Sequence, residues 1–251
     1  MIQKKKLFVV SDLHGHYALL KDILDQAGFD SDNKDHLFIC CGDLFDRGTE
    51  NRAVYDFVRK LKNKVLIKGN HDERLLEIIE QKRLTVYDIH NGIAPTLEEF
   101  FGQDSIGDYG DLLLPKHGKM ASTIRKFISG MVDYYETENY VFVHGWLPTQ
   151  SGVNPPILVE DWRNASAAEW KSSRFSEWTA LYKTPAMLPG KTIICGHRPT
   201  RLAIKIDPSR SPADSSIFRG EGMIAIDAGT IRSGKMNLLV LEDNVYIPDG
   251  E

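Results

Sequence analysis

Cysteine is scarce in this chain: three residues in 251, Cys40, Cys41 and Cys195, an odd number with no C-x-x-C spacing. That excludes a disulfide framework and a cysteine-built zinc site, and leaves buried, reduced thiols as the expectation. Long apolar runs are missing as well. The basic leader MIQKKK is followed by only four apolar residues before Ser11, too few for a secretory signal or a membrane span. A cytoplasmic location with no membrane partner is therefore expected. An excess of positive charge is also absent, the formal net charge being −4, so the chain lacks the electrostatic footprint of a nucleic-acid binder. No internal repeat, low-complexity tract or glycine-rich nucleotide loop interrupts it. The 42% hydrophobic content is enough for one large core, and a single domain over residues 1–251 is predicted.

What is present is a set of ligand-type side chains, each just after an apolar run. Asp12 and His14 stand in SDLHGH after LFVV, Asp43 in GDLFDRG after LFICC, and Asn70 with His71 in GNHD after KVLIK. His144 follows YVFV, and His197 follows TIIC and a glycine. Five buried strands would deliver these ends to one edge. Carboxylates, imidazoles and an amide oxygen form a mixed hard and borderline donor set, suited to manganese, iron or zinc better than to magnesium or calcium. Two ions held close together need a shared anionic ligand, and Asp43, on a Gly-Asp turn, is the candidate bridge. Asp12 and His14, two positions apart on an extended stretch, project to one side and can grip one ion. Asn70, His144 and His197 would hold the other. Taken singly, each motif is ordinary turn chemistry; five in order are not. His36, His90 and His117 belong to no such motif and read as surface residues, and His16 reads as a helix-start residue.

The ordered motifs D-x-H, G-D-x-x-D-R-G, G-N-H-D, H-G and G-H, spanning Asp12 to His197, resemble the phosphoprotein-phosphatase branch of the calcineurin-like metallophosphoesterases. The resemblance implies a four-layer α-β-β-α sandwich with two mixed sheets. It implies two divalent ions, manganese first with iron or zinc as alternatives, one on Asp12, His14 and Asp43 and the second on Asp43, Asn70, His144 and His197. It also implies phosphoester hydrolysis by a two-metal-activated hydroxide, with His71 as proton donor, Asp46 orienting it, and Arg47 and Asn70 holding phosphate oxygens. A further phosphate-clamping arginine is expected between His144 and His197, and Arg174 is preferred to Arg163. Arg198, next to His197, is expected to be exposed, with a substrate-facing position as the alternative. Asp227, ending MIAIDAG, is read either as a carboxylate behind the metal ligands or as a turn cap.

For substrate, the resemblance implies a serine/threonine protein phosphatase acting on phosphorylated protein or a small phosphoester. Diadenosine tetraphosphate hydrolysis is the alternative, since Asp72 stands where the eukaryotic-type phosphatases have glutamate. A catalytically idle, metal-stabilised binding module is disfavoured by the intact Asp46, Arg47 and His71. Trp146 and the tryptophans at 162, 170 and 178 are open to two readings, stacking against a base or packing.

Periodicity supplies the elements. Apolar stripes over residues 17–27 and 51–61 predict helices alternating with the first strands, and further helices are expected near 73–81 and 122–134. Short strands at 202–206, 223–227 and 237–241 read as a second sheet. The segments between Asp72 and Tyr140 and between Leu147 and Lys191 are expected to rise over the metal edge.

Overall fold

A computed structural model describes residues 2–114 and 119–246, so His117 lies outside the described residues. The first half alternates strand and helix: β1 (Ile2–Val10), α1 (Tyr17–Gln26), β2 (His36–Cys40), α2 (Asn51–Lys60), β3 (Lys64–Leu66) and α3 (Asn70–Gln81). Helices α4 (Val86–His90), α5 (Ala94–Phe101) and α6 (Met120–Ser129) lead to β4 (Tyr134–Glu136) and β5 (Tyr140–Val143). Then come α7 (Ala167–Ser173), α8 (Trp178–Leu181), β6 (Thr192–Cys195), β7 (Phe218–Gly220), β8 (Met223–Ala225), α9 (Thr230–Ser233) and β9 (Leu239–Tyr246). No described helix is long and apolar enough to cross a membrane.

Two mixed sheets form, in the orders β3-β2-β1-β9 and β4-β5-β6-β8-β7. Strands β1, β2 and β3 are parallel, as are β5, β6 and β8, and antiparallel β9, β4 and β7 close edges. Alternate residues of each strand point to opposite faces, and both faces are buried. Leu7, Val9 and Ile39 of the first sheet meet Phe142, Ile194 and Ile224 of the second in the central layer. Phe8, Val10 and Phe38 face the other way, onto a core with Leu20, Val54, Leu75 and Ile124 from the helices. Each fully buried Leu, Ile or Phe contributes on the order of 2 kcal/mol. This is the four-layer arrangement, α-β-β-α.

Three expectations are corrected. The last strand does not join the second sheet: β9 returns to the first and pairs with β1, Leu7 opposite Leu241, where it covers an otherwise open edge. Residues 202–206 are not a strand but lie in a 3-10 turn (Thr200–Lys205), because Pro199 opens it and the Thr200 amide donates to Asp227 O at 2.8 Å, which turns the chain back. The segment from 147 to 191 reaches the metal edge only in part, through Phe175 beside His197, and most of it lies elsewhere. Trp162, Trp170 and Trp178 pack with Trp146 against Val141, Val143 and Ile193, covering the outer face of the second sheet.

Candidate metal centre and active site

The parallel strands of both sheets end side by side, and their hydrogen-bond ladders run on into the turns that follow. Asp12 N donates to Gly42 O and His14 N to Asp43 O, both at 3.0 Å, and Gly196 N donates to His144 O at 2.8 Å. These bonds hold four turns together in two pairs. The His197 amide, donating to Asp12 Oδ2, joins the pairs, and the His71 amide, donating to Asp43 Oδ1, adds the Asn70 turn, so Asp12, His14, Asp43, Asn70, His144 and His197 converge. The turns pack with almost no clearance. A side chain at Gly69 would strike the Asp43 carboxylate, and one at Gly196 would strike Ser11 and Asp12. Among the described residues, eight non-glycines have positive φ, and six of them are Asp12, His14, Asp43, Asp46, Arg47 and His197. Backbone held in that region costs roughly 1–3 kcal/mol per residue, and its concentration here marks a site that the surrounding fold over-determines.

Asp43 sits at the centre. Its Oδ2 lies 3.4 Å from His144 Nε2 and 3.8 Å from His14 Nε2, while its Oδ1 accepts from the His71 amide at 3.0 Å. Two groups of potential ligands share it, one with His14 and His71 and the other with His144 and His197. Asp12 stands slightly apart: its Oδ2 accepts from the His197 amide at 2.9 Å and from the Ser11 hydroxyl.

The imidazoles are fixed by backbone carbonyls. His14 Nδ1–H donates to Phe45 O at 3.0 Å and His144 Nδ1–H to Cys41 O at 2.7 Å, so each turns the Nε2 lone pair inward. Burial holds both below the ordinary histidine value, His14 at about 3, and His197 is likewise pulled to about 3 by burial and then His144. Burial raises Asp43, but the surrounding histidines outweigh it and hold it below the usual carboxylate range. Neutral imidazoles around an ionised carboxylate are the protonation states a cation needs. Two further observations fit a metal pair. His144 Nε2 faces Asn70 Oδ1 at 2.9 Å, two acceptors opposed, and His197 Nε2 is buried without a hydrogen-bond partner. Burial, Asp227 and Asp43 drive the Asp12 carboxyl well above its usual value, a crowding of charge that divalent ions relieve.

Beside the ligands, His71 Nδ1–H donates to Asp46 Oδ2 at 2.8 Å. Arg47 spans the centre, Nη1 donating to His14 Nε2 and Nη2 to His71 Nε2, both at 2.9 Å. Asp46 is fixed by Thr96, whose hydroxyl donates to its Oδ1 at 2.7 Å. Thr96 comes from α5 and carries no motif, so nothing in the sequence points to it. Asp72 is fully buried and orients no arginine. Its carboxylate accepts from the amides of Asp43 at 2.8 Å, Gly69 at 2.9 Å and Leu44 at 3.1 Å, lashing the Asp43 turn to the start of α3.

Arg174 does not join this group, which corrects its expected phosphate-binding role. It is 4% exposed, and its donors are taken by Lys68 O at 3.1 Å and by the carboxylates of Glu73 and Asp133. Arg163 is no substitute, being paired with Glu136 at 2.6 Å on the surface and lying over Trp162. Trp146 is fully buried and donates to Ala186 O at 3.0 Å, so it packs. The aromatics near the centre are instead Phe175 and Tyr87, which with Asp46, Asn70 and His71 line a cleft of about 80 Å³. Neither stood out in the sequence. The three cysteines are buried, and burial raises their thiols, so they take no part.

Asp12, His14, Asp43, Arg47, Asn70 and His197 open onto a cavity of about 730 Å³, one wall of which comprises residues after His197 and residues between 227 and 235. Arg198, Arg201, Arg232 and Lys235 line that wall; Arg198 is half-buried, not exposed as expected, and the other three carried no sequence signal.

The fold and this ligand arrangement define a metal-dependent phosphoesterase, and the chain matches the calcineurin-like phosphoesterase family over residues 5–209, so it belongs to that family. It is 37% identical over 75 residues to the symmetrical bis(5'-nucleosyl)-tetraphosphatase of Nitrosospira multiformis, covering 30% of this chain and 26% of that one. It is 27% identical over 156 residues to the protein of the same name from Coxiella burnetii, covering 61% of this chain and 46% of that one. The matches thus span less than half the length of these curated relatives. Among solved structures, a candidate diadenosine tetraphosphatase superposes with a TM-score of 0.55 at 15% identity, covering 98% of this chain and 95% of that one. A protein serine/threonine phosphatase from Saccharomyces cerevisiae superposes with a TM-score of 0.51 at 13% identity, covering 98% and 82%. These two likenesses concern the fold alone.

Proposed function

We propose that this phosphoesterase hydrolyses dinucleoside tetraphosphates, the alternative in the sequence reading, in preference to phosphorylated proteins. The observation that carries the reading is the cavity: about 730 Å³ runs on from the metal ligands, far more room than one phosphoryl group requires. The name shared by the curated relatives supports it. The protein-phosphatase reading rests on motifs that both activities share.

In this proposal residues 1–251 act as one catalytic domain. Asp12, His14 and Asp43 hold one divalent ion, and Asp43, Asn70, His144 and His197 hold the second, manganese being the first candidate. When bound, the pair supplies Lewis-acid polarisation of phosphoryl oxygens and an acidified water. Arg47, already poised over the centre, turns its fork to the oxygens of the attacked phosphate, and the Asn70 amide helps to orient it. His71 gives a proton from Nε2 to the departing oxygen, its ring held by Asp46.

The deciding measurement is kcat/KM for diadenosine tetraphosphate and for a phosphothreonine peptide at one manganese concentration. The dinucleotide is expected to be better by a hundredfold or more, about 2.7 kcal/mol in transition-state binding, with ADP as the nucleotide product. A peptide that matches or exceeds it restores the protein-phosphatase reading.

A further inference from the structure

Three carboxylates and five cations line the main cavity. The carboxylates, Asp12, Asp43 and Asp227, crowd the metal ligands. Of the cations, Arg47 hydrogen-bonds to His14 and His71, and Arg198, Arg201, Arg232 and Lys235 belong to the wall built after His197, Arg198 directly following that ligand. Arg52, Arg59, Arg74, Arg163, Arg174 and Arg210 each pair with a carboxylate elsewhere. Among the described residues, none of the four wall cations does so, in a chain where acidic residues outnumber basic ones 35 to 31. Arg198 is the sharpest case, since its Nε is buried with no partner. A guanidinium in that state is short of hydrogen-bond acceptors, and an entering anion provides them.

The wall is held at a fixed distance from the metal ligands. Arg198 N donates to Gly196 O at 2.7 Å, and Trp178 Nε1 donates to Arg198 O at 2.9 Å. Thr200 N donates to Asp227 O at 2.8 Å, joining the turn that bears Arg201 to the segment that bears Arg232 and Lys235. Thr230 Oγ1 donates to Asp12 O at 3.3 Å, tying that segment to a ligand turn. Such anchoring lowers the ordering cost of binding.

With the attacked phosphate at the metal ligands, as in the proposed function, we propose that Arg198, Arg201, Arg232 and Lys235 form a subsite for phosphates linked to it, so that the enzyme selects substrates by their number of contiguous phosphates. A monoester carries about two negative charges at neutral pH, which two metal ions and Arg47 already serve. Four more cations facing the same space gain a role only when the anion extends further. Paired forks suit a phosphate chain, whose oxygens recur at each link.

The test is calorimetric binding to the manganese-loaded protein of AMP and of α,β-methylene-ADP, which differ by one linked phosphonate. The wild type is expected to prefer the longer anion by roughly tenfold or more, or 1.4 kcal/mol, and the preference is expected to shrink as ionic strength rises from about 0.1 M to about 1 M. Arg201→Gln with Arg232→Gln is expected to reduce the preference to below about threefold, while Arg163→Gln, a cation outside the cavity, keeps it. The single variants Arg232→Gln and Lys235→Gln, both at exposed positions, give the same trend if the double variant fails to fold. A wild type without the preference overturns the subsite, and so does a preference that survives in folded variants. Equal weakening of both ligands in those variants also overturns it. Turnover of diadenosine tetraphosphate, measured separately, keeps the two readings apart. If the dinucleotide is not cleaved but the preference exists and collapses on substitution, the subsite stands and the proposed function falls. If it is cleaved and the preference does not collapse, only the subsite falls.

Discussion

His71 Nδ1 lies 2.8 Å from Asp46 Oδ2, and both side chains are buried. The pair joins the GNHD turn at the end of β3 to the GDLFDRG turn at the end of β2. Burial pulls the His71 pKa down, but the charge of Asp43 and the hydrogen bond and charge of Asp46 outweigh it, so the ring titrates above its ordinary value. The shift favours the protonated ring that a proton donor needs, and protonation at Nε2 requires Arg47 Nη2 to move off that nitrogen.

His71→Asn is expected to lower kcat on an alkyl phosphate by about 10²–10⁴-fold. The loss should be smaller on diadenosine tetraphosphate, because a departing ADP phosphate needs little protonation. Asp46→Asn removes a contribution that raises the His71 pKa, so the alkaline limb of the pH–rate profile should move to lower pH. Equal deficits on both substrates would remove His71 from the role.

Asp43→Asn should cost more activity than any other single ligand change, because Asp43 belongs to both ligand groups. Chelation should abolish turnover, and manganese should restore more of it than magnesium or calcium. Elemental analysis of the active wild type is expected to find about two transition-metal ions per chain. Full activity with one ion would contradict the shared-ligand assignment.

In the metal-free protein, Asp72 and Asp227 should contribute a stability that falls as pH rises from about 4 to about 7. Burial and then Asp43 raise the Asp72 carboxyl to about 7, and burial foremost raises Asp227 to about 6, against about 3.9 for an unfolded aspartate. The folded state then keeps protons that the unfolded chain has released, so stability is fully present below the unfolded value and is lost as pH rises through the folded one. His14 and His197, depressed to about 3, act in the opposite sense up to about pH 7, so the carboxyl contribution is read from the difference between the wild type and Asp72→Asn. Manganese, by favouring the ionised carboxylates, should flatten the slope. Calorimetric melting temperatures of the wild type and of Asp72→Asn, with and without the metal, report both effects, and a variant that loses stability with pH as steeply as the wild type would reverse the assignment.

Arg174→Gln should destabilise the fold by roughly 1–3 kcal/mol, since it removes a buried guanidinium from Lys68 O and from the partly exposed carboxylates of Glu73 and Asp133. Denaturant titration measures this, and KM should change little. A raised KM at unchanged stability would return Arg174 to phosphate binding.

The strand-helix alternation of the first half and the strand-end positions of the six candidate ligands were legible along the chain. Each ligand lies within a few residues of the strand that carries it, so local pattern placed Asp12, His14, Asp43, Asn70, His144 and His197 at strand ends before any tertiary contact was known. What depended on remote segments meeting was not legible. Pairing of β9 with β1 brings the two ends of the chain together, and an apolar strand pattern does not name its partner. The tryptophans carried equal apolar signal whether they stacked on substrate or packed, and only the exposed face of the second sheet settled that they pack. Arg174 had the residue type of a phosphate ligand, but folding set Glu73 and Asp133 beside it and took its charge. Of the cavity's other cations, Arg198 follows His197 in the G-H motif, but Arg201, Arg232 and Lys235 were unremarkable residues in a tail with no motif. Only the return of the chain after His197 put them on one wall, because charge acts through space and leaves no periodicity along the sequence.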